Sequence, residues 1–191
     1  AAKKDIKESD YKAAFESYTP EVTAQIIKLD SEDKAKEVLE AAKAEGADFA
    51  QIAKDNSTDT ATKDKGGEVK FDSGTADIPS QVKEAAFKLD ENGISDVITV
   101  SAGQNYSASY YIVKLNKKTE KGSDWKKYEK RLKEIIVDGR KQDTNYIRSI
   151  IAKAMTNANI KVKDDAFKST FNQYLQNIGV QTSDSSSSSK K

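Results

Sequence analysis

Residues 54–71, KDNSTDTATKDKGGEVKF, decide how this chain folds, because they join the end of a helix to a strand through a polar loop. The Ser, Thr and Asp residues of the loop favour turns, since their short side chains bond nearby backbone groups. Gly66 and Gly67 suit a backbone with positive φ, or a close approach to a neighbouring strand. The stretch therefore predicts a tight helix–loop–strand connection in which the two glycines precede the strand.

Upstream of this stretch, the pattern predicts one strand followed by two helices. Residues 22–29, VTAQIIKL, are apolar and β-branched and lie between Pro20 and Asp30, which is typical of a buried strand. Apolar residues then recur at helical spacing and predict an amphipathic helix that ends at Gly46. Asp48 is the expected N-cap of a second, shorter helix.

Downstream, residues 82–89 predict a helix that stops at the turn formed by Asn92 and Gly93. Two further strands are predicted at residues 94–100 and 108–116. The order β-α-α-β-α-β-β favours a four-stranded antiparallel sheet with helices packed on it, which is an α+β fold.

The predicted sheet and its helices occupy residues 21–118, and the flanking segments show a different pattern. Residues 1–20 contain one short amphipathic helix. Residues 119–180 carry Trp, Tyr, Phe and Ile at helical spacing, with an expected break or loosened turn at Gly139. Residues 181–191 are rich in Ser, which is typical of a disordered tail. We therefore expect a helical C-terminal extension after the α+β domain.

The composition argues against several classes of function. Lys plus Arg number 32 and Asp plus Glu 31, and this balance argues against nucleic acid as a partner, because a basic stripe supplies most of that affinity. The chain has no His and no Cys, which excludes His general bases, His-based metal sites and disulfide bonds. No apolar run approaches the roughly 18 residues of a membrane span. We expect no metal and no cofactor.

Several blocks around the opening stretch resemble a known family. The blocks are DFAQIAKDNSTD (48–59), KGGEVKF (65–71), EAAFKL (84–89) and YYIVKL (110–115). In order and spacing they resemble the parvulin-type peptidyl-prolyl isomerases, and more closely the PrsA-type foldases, which are lipoproteins of Gram-positive bacteria. The likeness covers about half of the chain and implies a parvulin-like sheet, in agreement with the α+β fold predicted above.

The resemblance also implies a biological role. It implies an extracellular foldase that assists the folding of secreted proteins after translocation and is anchored as a lipoprotein to the outer face of the cell membrane. The implied partners are unfolded or partly folded secreted proteins with X-Pro bonds. The membrane is contacted only through a lipid anchor that is not present in this chain, and whether the chain forms a homodimer is left open. In the family, the segments before and after the parvulin domain combine into a chaperone-like module, so residues 1–20 correspond to a remnant of that module and residues 119–180 to its helical C-terminal segment.

The resemblance assigns the catalytic roles to three residues. A His on the first strand of active parvulins falls on Gln25, a His on the last strand falls on Tyr111, and a Cys or Asp in the loop falls on Asp59. The residues themselves leave a second interpretation open, since Ser-Thr-Asp also commonly caps turns and a Tyr on a strand also serves packing.

The family's apolar pocket for the proline ring falls on three further residues, namely Val69, Ile78 and Val82. Asp77 is the alternative to Ile78, depending on one inserted residue. Both His residues of the family are replaced here, and a large Phe of the pocket is the smaller Val82. The resemblance therefore implies a parvulin fold with an eroded active site and weak or lost isomerase activity. The alternative function is that of a chaperone or holdase that binds unfolded clients without significant isomerase activity.

Overall fold

The computed structural model describes residue 3, residues 5–102 and 107–157, and residue 173. The chain divides into two compact units. One unit comprises Glu16–Asp124, and the other comprises the described residues of Ala1–Phe15 and Trp125–Lys191. The sequence had placed the boundaries of the α+β domain a few residues further inward, at 21 and 118.

The described chain alternates helices and strands in the predicted order. The elements are α1 (Glu8–Ser17), β1 (Val22–Leu29), α2 (Glu32–Lys43), α3 (Phe49–Asn56), β2 (Glu68–Phe71), α4 (Ser80–Lys88), β3 (Ile98–Ala102), β4 (Ser107–Lys118), α5 (Glu129–Gln142) and α6 (Thr144–Asn157). Two 3₁₀ turns accompany them, at Lys63–Lys65 and at Trp125–Tyr128. The four strands form one sheet in the order β2-β1-β4-β3, with every neighbouring pair antiparallel. The predicted four-stranded antiparallel sheet with packed helices is therefore confirmed.

β1 is a central strand, and it pairs with β4 along its whole length. The pairing runs from Val22 opposite Lys118 to Leu29 opposite Tyr110, with one irregularity between Thr23 and Ala24. Residues 22–25 of β1 also pair with β2, so this half of the strand has partners on both sides. The register fixes which side chains of β1 and β4 share a face of the sheet.

The start of β3 differs from the prediction. A strand was expected from Ile94, whereas Ile94 forms only an isolated bridge to Lys114 and β3 begins at Ile98. The cause is Ser95, whose hydroxyl accepts the backbone N–H of Val113 at 3.0 Å. That side-chain bond replaces the backbone partner that a continuing strand would supply.

The sheet separates two apolar layers. On one face lie α4 and a buried cluster composed of Val22, Ala24, Ile26, Phe71, Val82, Ala86, Val113 and Leu115. On the other face lie α2, α3 and a cluster composed of Ile27, Leu29, Ala35, Val38, Ala42, Phe49, Ala53 and Ile112. The sheet is therefore the middle layer of the unit, because successive residues of a strand point to opposite faces.

The glycine pair of the opening stretch has the expected backbone. Gly66 and Gly67 have φ of +67° and +76°. A Cβ atom at Gly67 would lie 2.4 Å from the carbonyl oxygen of Ile26, so no larger residue fits without displacement of β1. The Gly67 carbonyl in turn accepts the N–H of Ile26 at 2.8 Å. The turn thus brings the loop against the middle of β1.

The second unit is helical, and stacked aromatic rings hold its described elements together. Tyr11 stacks on Trp125 with ring centroids 5.1 Å apart, and Phe15 stacks on Tyr128 at 5.8 Å. Leu132 of α5 is fully buried.

The break expected at Gly139 was wrong, because α5 continues to Gln142 and the N–H of Asp143 still bonds the Gly139 carbonyl at 2.9 Å. The next residue, Arg140, donates to the carboxylate of Asp10 at 2.8 Å, which favours the helical arrangement of this turn. The predicted strand at 160–162, the predicted last helix after residue 164 and the predicted tail at 181–191 lie outside the described residues, apart from the helical Gln173. In the described part of the chain, none of the helices combines the length and the apolar character that crossing a bilayer requires.

Candidate functional site

A pocket of about 170 Å³ opens on the face of the sheet that carries α4. It is lined by Ile26, Lys28, Asp59, Val69, Asp77, Ile78, Pro79, Val82 and Tyr111. Five of the six residues predicted for the site line this pocket, and so does Asp77, the alternative to Ile78. Pockets for drug-sized ligands measure about 300–1,000 Å³, so this one suits a single small ring or side chain.

One wall of the pocket is apolar. Val82 of α4 is fully buried, while Val69 of β2 and Ile78 are partly buried and pack against the same cluster. Pro79 is the N-cap residue of α4, and its carbonyl accepts the N–H of Val82 in the first turn of the helix at 3.0 Å. This wall can bury the apolar ring of a proline, since removal of apolar surface from water is favourable.

The other side of the pocket is polar and comes from β1 and β4. Tyr111 lies directly opposite Lys28 in the register of these strands, and both side chains reach the pocket. Directly opposed residues of an antiparallel pair have Cβ atoms about 4.5–5.5 Å apart, so their polar groups can act on the same ligand. Lys28 was not among the predicted site residues, because a Lys within a strand most often indicates a solvent-facing position.

Asp59 is fixed in place by the loop in which it lies. Its Oδ1 accepts the N–H of Ala61 at 3.2 Å, and its Oδ2 accepts the hydroxyl of Thr62 at 2.6 Å. Its backbone carbonyl also accepts the N–H of Lys63 at 2.9 Å, and its own N–H donates to Ser57 Oγ at 3.3 Å. The carboxylate therefore stabilises a turn at the pocket, which is the structural role that the sequence left open beside a catalytic one.

The structure does not bring Gln25 into the pocket. Its flanking residues Ala24 and Ile26 belong to the cluster on the α4 face, so alternation directs Gln25 to the opposite face. There its side-chain amide donates to the carbonyl of Gly66 at 3.0 Å. The residue of β1 that lines the pocket beside Lys28 is Ile26, which offers no hydrogen-bonding group.

A shift of one residue along a strand moves a side chain to the other face of the sheet. This shift explains why Ile26 lines the pocket where Gln25 was predicted. The sequence carried little signal for the correct register, because Ile26 and the next residue, Ile27, are both apolar and both buried, on opposite faces. Among the residues that the structure describes, no group of three or more Asp, Glu, His or Cys side chains is placed to hold a metal ion.

Comparison with known proteins agrees with this geometry. The family model described as "Rotamase: PPIC-type PPIASE domain" matches residues 18–117, which include β1, all but the last residue of β4 and every residue that lines the pocket. Among curated proteins, the chain is 64% identical over 179 residues to "Foldase protein PrsA" of Streptococcus sanguinis, covering 94% of this chain and 53% of that protein. The chain therefore spans little more than half the length of this relative.

Solved structures give the same result. The crystal structure of foldase protein PrsA from Streptococcus pneumoniae matches with a TM-score of 0.84 at 56% identity, covering 91% of this chain and 63% of that one. The PrsA structure from Lactococcus lactis matches with a TM-score of 0.69 at 37% identity, covering 88% and 60% of the two chains. The chain thus belongs to the PPIC-type, or parvulin-type, peptidyl-prolyl isomerase family, and within it to the relatives of the PrsA foldases.

Proposed function

We propose that this chain is the prolyl-binding part of an extracellular foldase that assists the folding of secreted proteins after translocation, with an eroded and therefore weak isomerase site. Its substrates are X-Pro segments of unfolded or partly folded secreted proteins. The observation that carries the proposal is the single pocket that joins the apolar wall of Val69, Ile78 and Val82 to Tyr111 and Asp59. Family membership and the foldase relatives support the same role.

The chemistry needs no covalent step. Rotation about a peptide bond faces a barrier of about 18–20 kcal/mol, and uncatalysed X-Pro isomerisation takes tens to hundreds of seconds. A catalyst lowers this barrier by binding the twisted amide more strongly than the planar one. In this pocket, the apolar wall holds the proline ring, and the hydroxyl of Tyr111 can donate to or accept from the twisted amide.

The erosion of the site follows from two positions. On β1, Ile26 lines the pocket and supplies no hydrogen-bonding group, so this position lacks the donor or acceptor that a His side chain would provide. On α4, the short Val82 covers less of a proline ring than an aromatic side chain would. Loss of one or two hydrogen bonds at about 0.5–1.5 kcal/mol each would slow catalysis by roughly 2-fold to 150-fold.

A second candidate function is the holding of unfolded clients without isomerisation. The specific observation in its favour is the outer surface of α6, where Ile147 and Ile151 are 41% and 38% exposed. Exposed apolar side chains of this size can bind apolar segments of an unfolded chain.

A peptide isomerisation assay limited by proline rotation tests the first function. We expect a rate above the uncatalysed one for the wild-type chain and a return toward background for Tyr111→Phe, which removes the hydroxyl and keeps the ring. Asp59→Asn is expected to keep more activity than Asp59→Ala, because the amide oxygen can still accept the N–H of Ala61 while the amide NH₂ group can donate to the hydroxyl oxygen of Thr62. Asp64→Ala is the matched control, since Asp64 is exposed in the same loop and does not line the pocket.

A rate equal to background for the wild-type chain, together with suppressed aggregation of an unfolded client, would favour the holding function. Substitution of Ile147 and Ile151 by Ser should then weaken that suppression while leaving peptide isomerisation unchanged. The proposed location is tested separately, by accessibility of the protein to protease added to intact cells.

A further inference from the structure

Lys28 introduces a positive charge into a pocket that otherwise has an apolar wall. Its backbone is fixed within β1, where its N–H donates to Ser57 Oγ at 3.1 Å and its carbonyl accepts the N–H of Thr58 at 2.8 Å. Its side chain is partly buried and lines the pocket opposite Tyr111. The central strand therefore fixes the backbone of Lys28, and the side chain extends from there to line the pocket.

The ammonium group of Lys28 makes no ion pair and no hydrogen bond with the residues that the structure describes. Other lysines of the same unit are engaged. Lys83 donates to the carbonyls of Ser73 and Thr75 at 3.0 and 2.6 Å, and Lys118 donates to the carbonyl of Phe87 at 2.7 Å. A partly buried cation without an internal partner gains free energy when an anionic group of a ligand approaches it, because it is screened less than an exposed charge.

Neither of the two carboxylates that line the pocket, those of Asp59 and Asp77, forms an ion pair with Lys28 among the residues that the structure describes. Both oxygens of Asp59 already accept hydrogen bonds from Ala61 and Thr62. Asp77 is exposed, so solvent and salt screen its charge. Of the three charged groups, Lys28 is the one that is both partly buried and available to a ligand.

We propose that Lys28 determines specificity, and that it selects clients in which an acidic residue, Asp or Glu, adjoins the proline held in the pocket. This inference rests on the proposed function to the extent that the pocket binds a proline ring. With the ring against Val82, a neighbouring side chain of the client lies beside the β1–β4 side of the pocket, where Lys28 is placed. The carboxylate of that residue then pairs with the ammonium group.

Binding of short blocked peptides tests this inference without reliance on catalysis. The probes are Ala-Glu-Pro-Phe, Ala-Gln-Pro-Phe and Ala-Lys-Pro-Phe, with Ala-Gln-Pro-Glu to place the acid after the proline. Affinity is followed by NMR titration of the Val69 and Val82 resonances. We expect at least one Glu peptide to bind about two- to fivefold more tightly than the Gln peptide, the range of a partly exposed ion pair, and the Lys peptide to bind most weakly. The preference should disappear at about 1 M salt, where the Debye length is ~3 Å.

Lys28→Met removes the charge and keeps an unbranched apolar stem, so it should abolish the preference while the Gln peptide still binds. Lys70→Met is the matched control, because Lys70 is exposed on β2 next to Val69 and does not line the pocket. Equal loss of preference in both variants, an unchanged preference in Lys28→Met, or absence of binding by every peptide would each overturn the inference. A Lys28-dependent preference in a chain without measurable isomerisation would support it while refuting the catalytic part of the proposed function.

Discussion

Substitution of Gly67 by Ala should destabilise the α+β unit by more than the conformational cost of a positive φ alone. Gly67 has φ of +76°, and placing a residue with a Cβ in the left-handed region costs about 1–2 kcal/mol. The new Cβ would also lie 2.4 Å from the carbonyl oxygen of Ile26 and 3.0 Å from its nitrogen. The loop must then move away from β1, and the hydrogen bond from the Ile26 N–H to the Gly67 carbonyl is lost, at about 0.5–1.5 kcal/mol.

The structure offers a matched control for the steric part of this effect. Gly46 also has φ of +76°, but no atom lies within 4 Å of the position of its Cβ. Gly46→Ala should therefore show only the conformational cost of about 1–2 kcal/mol, whereas Gly67→Ala should lose roughly 1.5–3.5 kcal/mol. Against a typical total of about 5–15 kcal/mol, the second loss is large.

Urea denaturation followed by circular dichroism measures both variants, since the midpoint and slope give the free energy of unfolding. Because Ile26 lines the pocket, Gly67→Ala should also weaken the binding of prolyl peptides, and Gly46→Ala should not. If the two variants lose the same stability within about 0.5 kcal/mol, the close approach of Gly67 to β1 does not contribute to stability and the reasoning fails.

Three further substitutions test other parts of the structure. Tyr18→Phe removes the donor of a buried bond to Asp72 Oδ2, 3.1 Å long, and should reduce the free energy of unfolding by about 1–3 kcal/mol; an unchanged thermal midpoint would contradict this. Val82→Ala, at a fully buried position, should cost about 2 kcal/mol and weaken the binding of prolyl peptides, and titration showing unaltered affinity would exclude Val82 from the proline wall. Arg140→Gln removes the ion pair between Arg140 and Asp10, in which the two side chains are 18% and 34% exposed. The substitution should destabilise the helical unit by up to about 1 kcal/mol, as measured by denaturation at low and high salt.

The fold could be predicted from the sequence because its signals were local and repeated. β-branched runs, amphipathic spacing and the glycine pair each indicated the correct element, and the resemblance to parvulins indicated their arrangement. Two element boundaries were predicted wrongly, the start of β3 and the break at Gly139. At each of them a single side chain forms a bond that the local sequence pattern did not indicate. Ser95 delays the start of β3 by bonding Val113, and α5 continues through Gly139 beside the Arg140–Asp10 pair.

The site was harder to predict, because which face of a strand a residue occupies depends on register. Tyr111 and Asp59 lie in the pocket as expected, whereas Gln25 lies one residue away from the strand position that lines it. Two adjacent buried isoleucines, Ile26 and Ile27, hide the alternation that would have settled this question. The proposed role of Lys28 in specificity could not be predicted from the sequence, because it depends on which residues line the pocket beside it.

The lengths of the strands have a consequence for a protein that works among unfolded chains. The two outer strands of the sheet, β2 and β3, have only four and five residues, while the inner strands β1 and β4 have eight and twelve. Short edge strands offer few unpaired backbone groups, so an extended polypeptide gains little by adding itself to the sheet. The long strands, which would be the better templates, pair with each other along the whole of β1, and each also has a short outer strand beside part of its other edge, so the sheet resists β-augmentation by the extended chains around it.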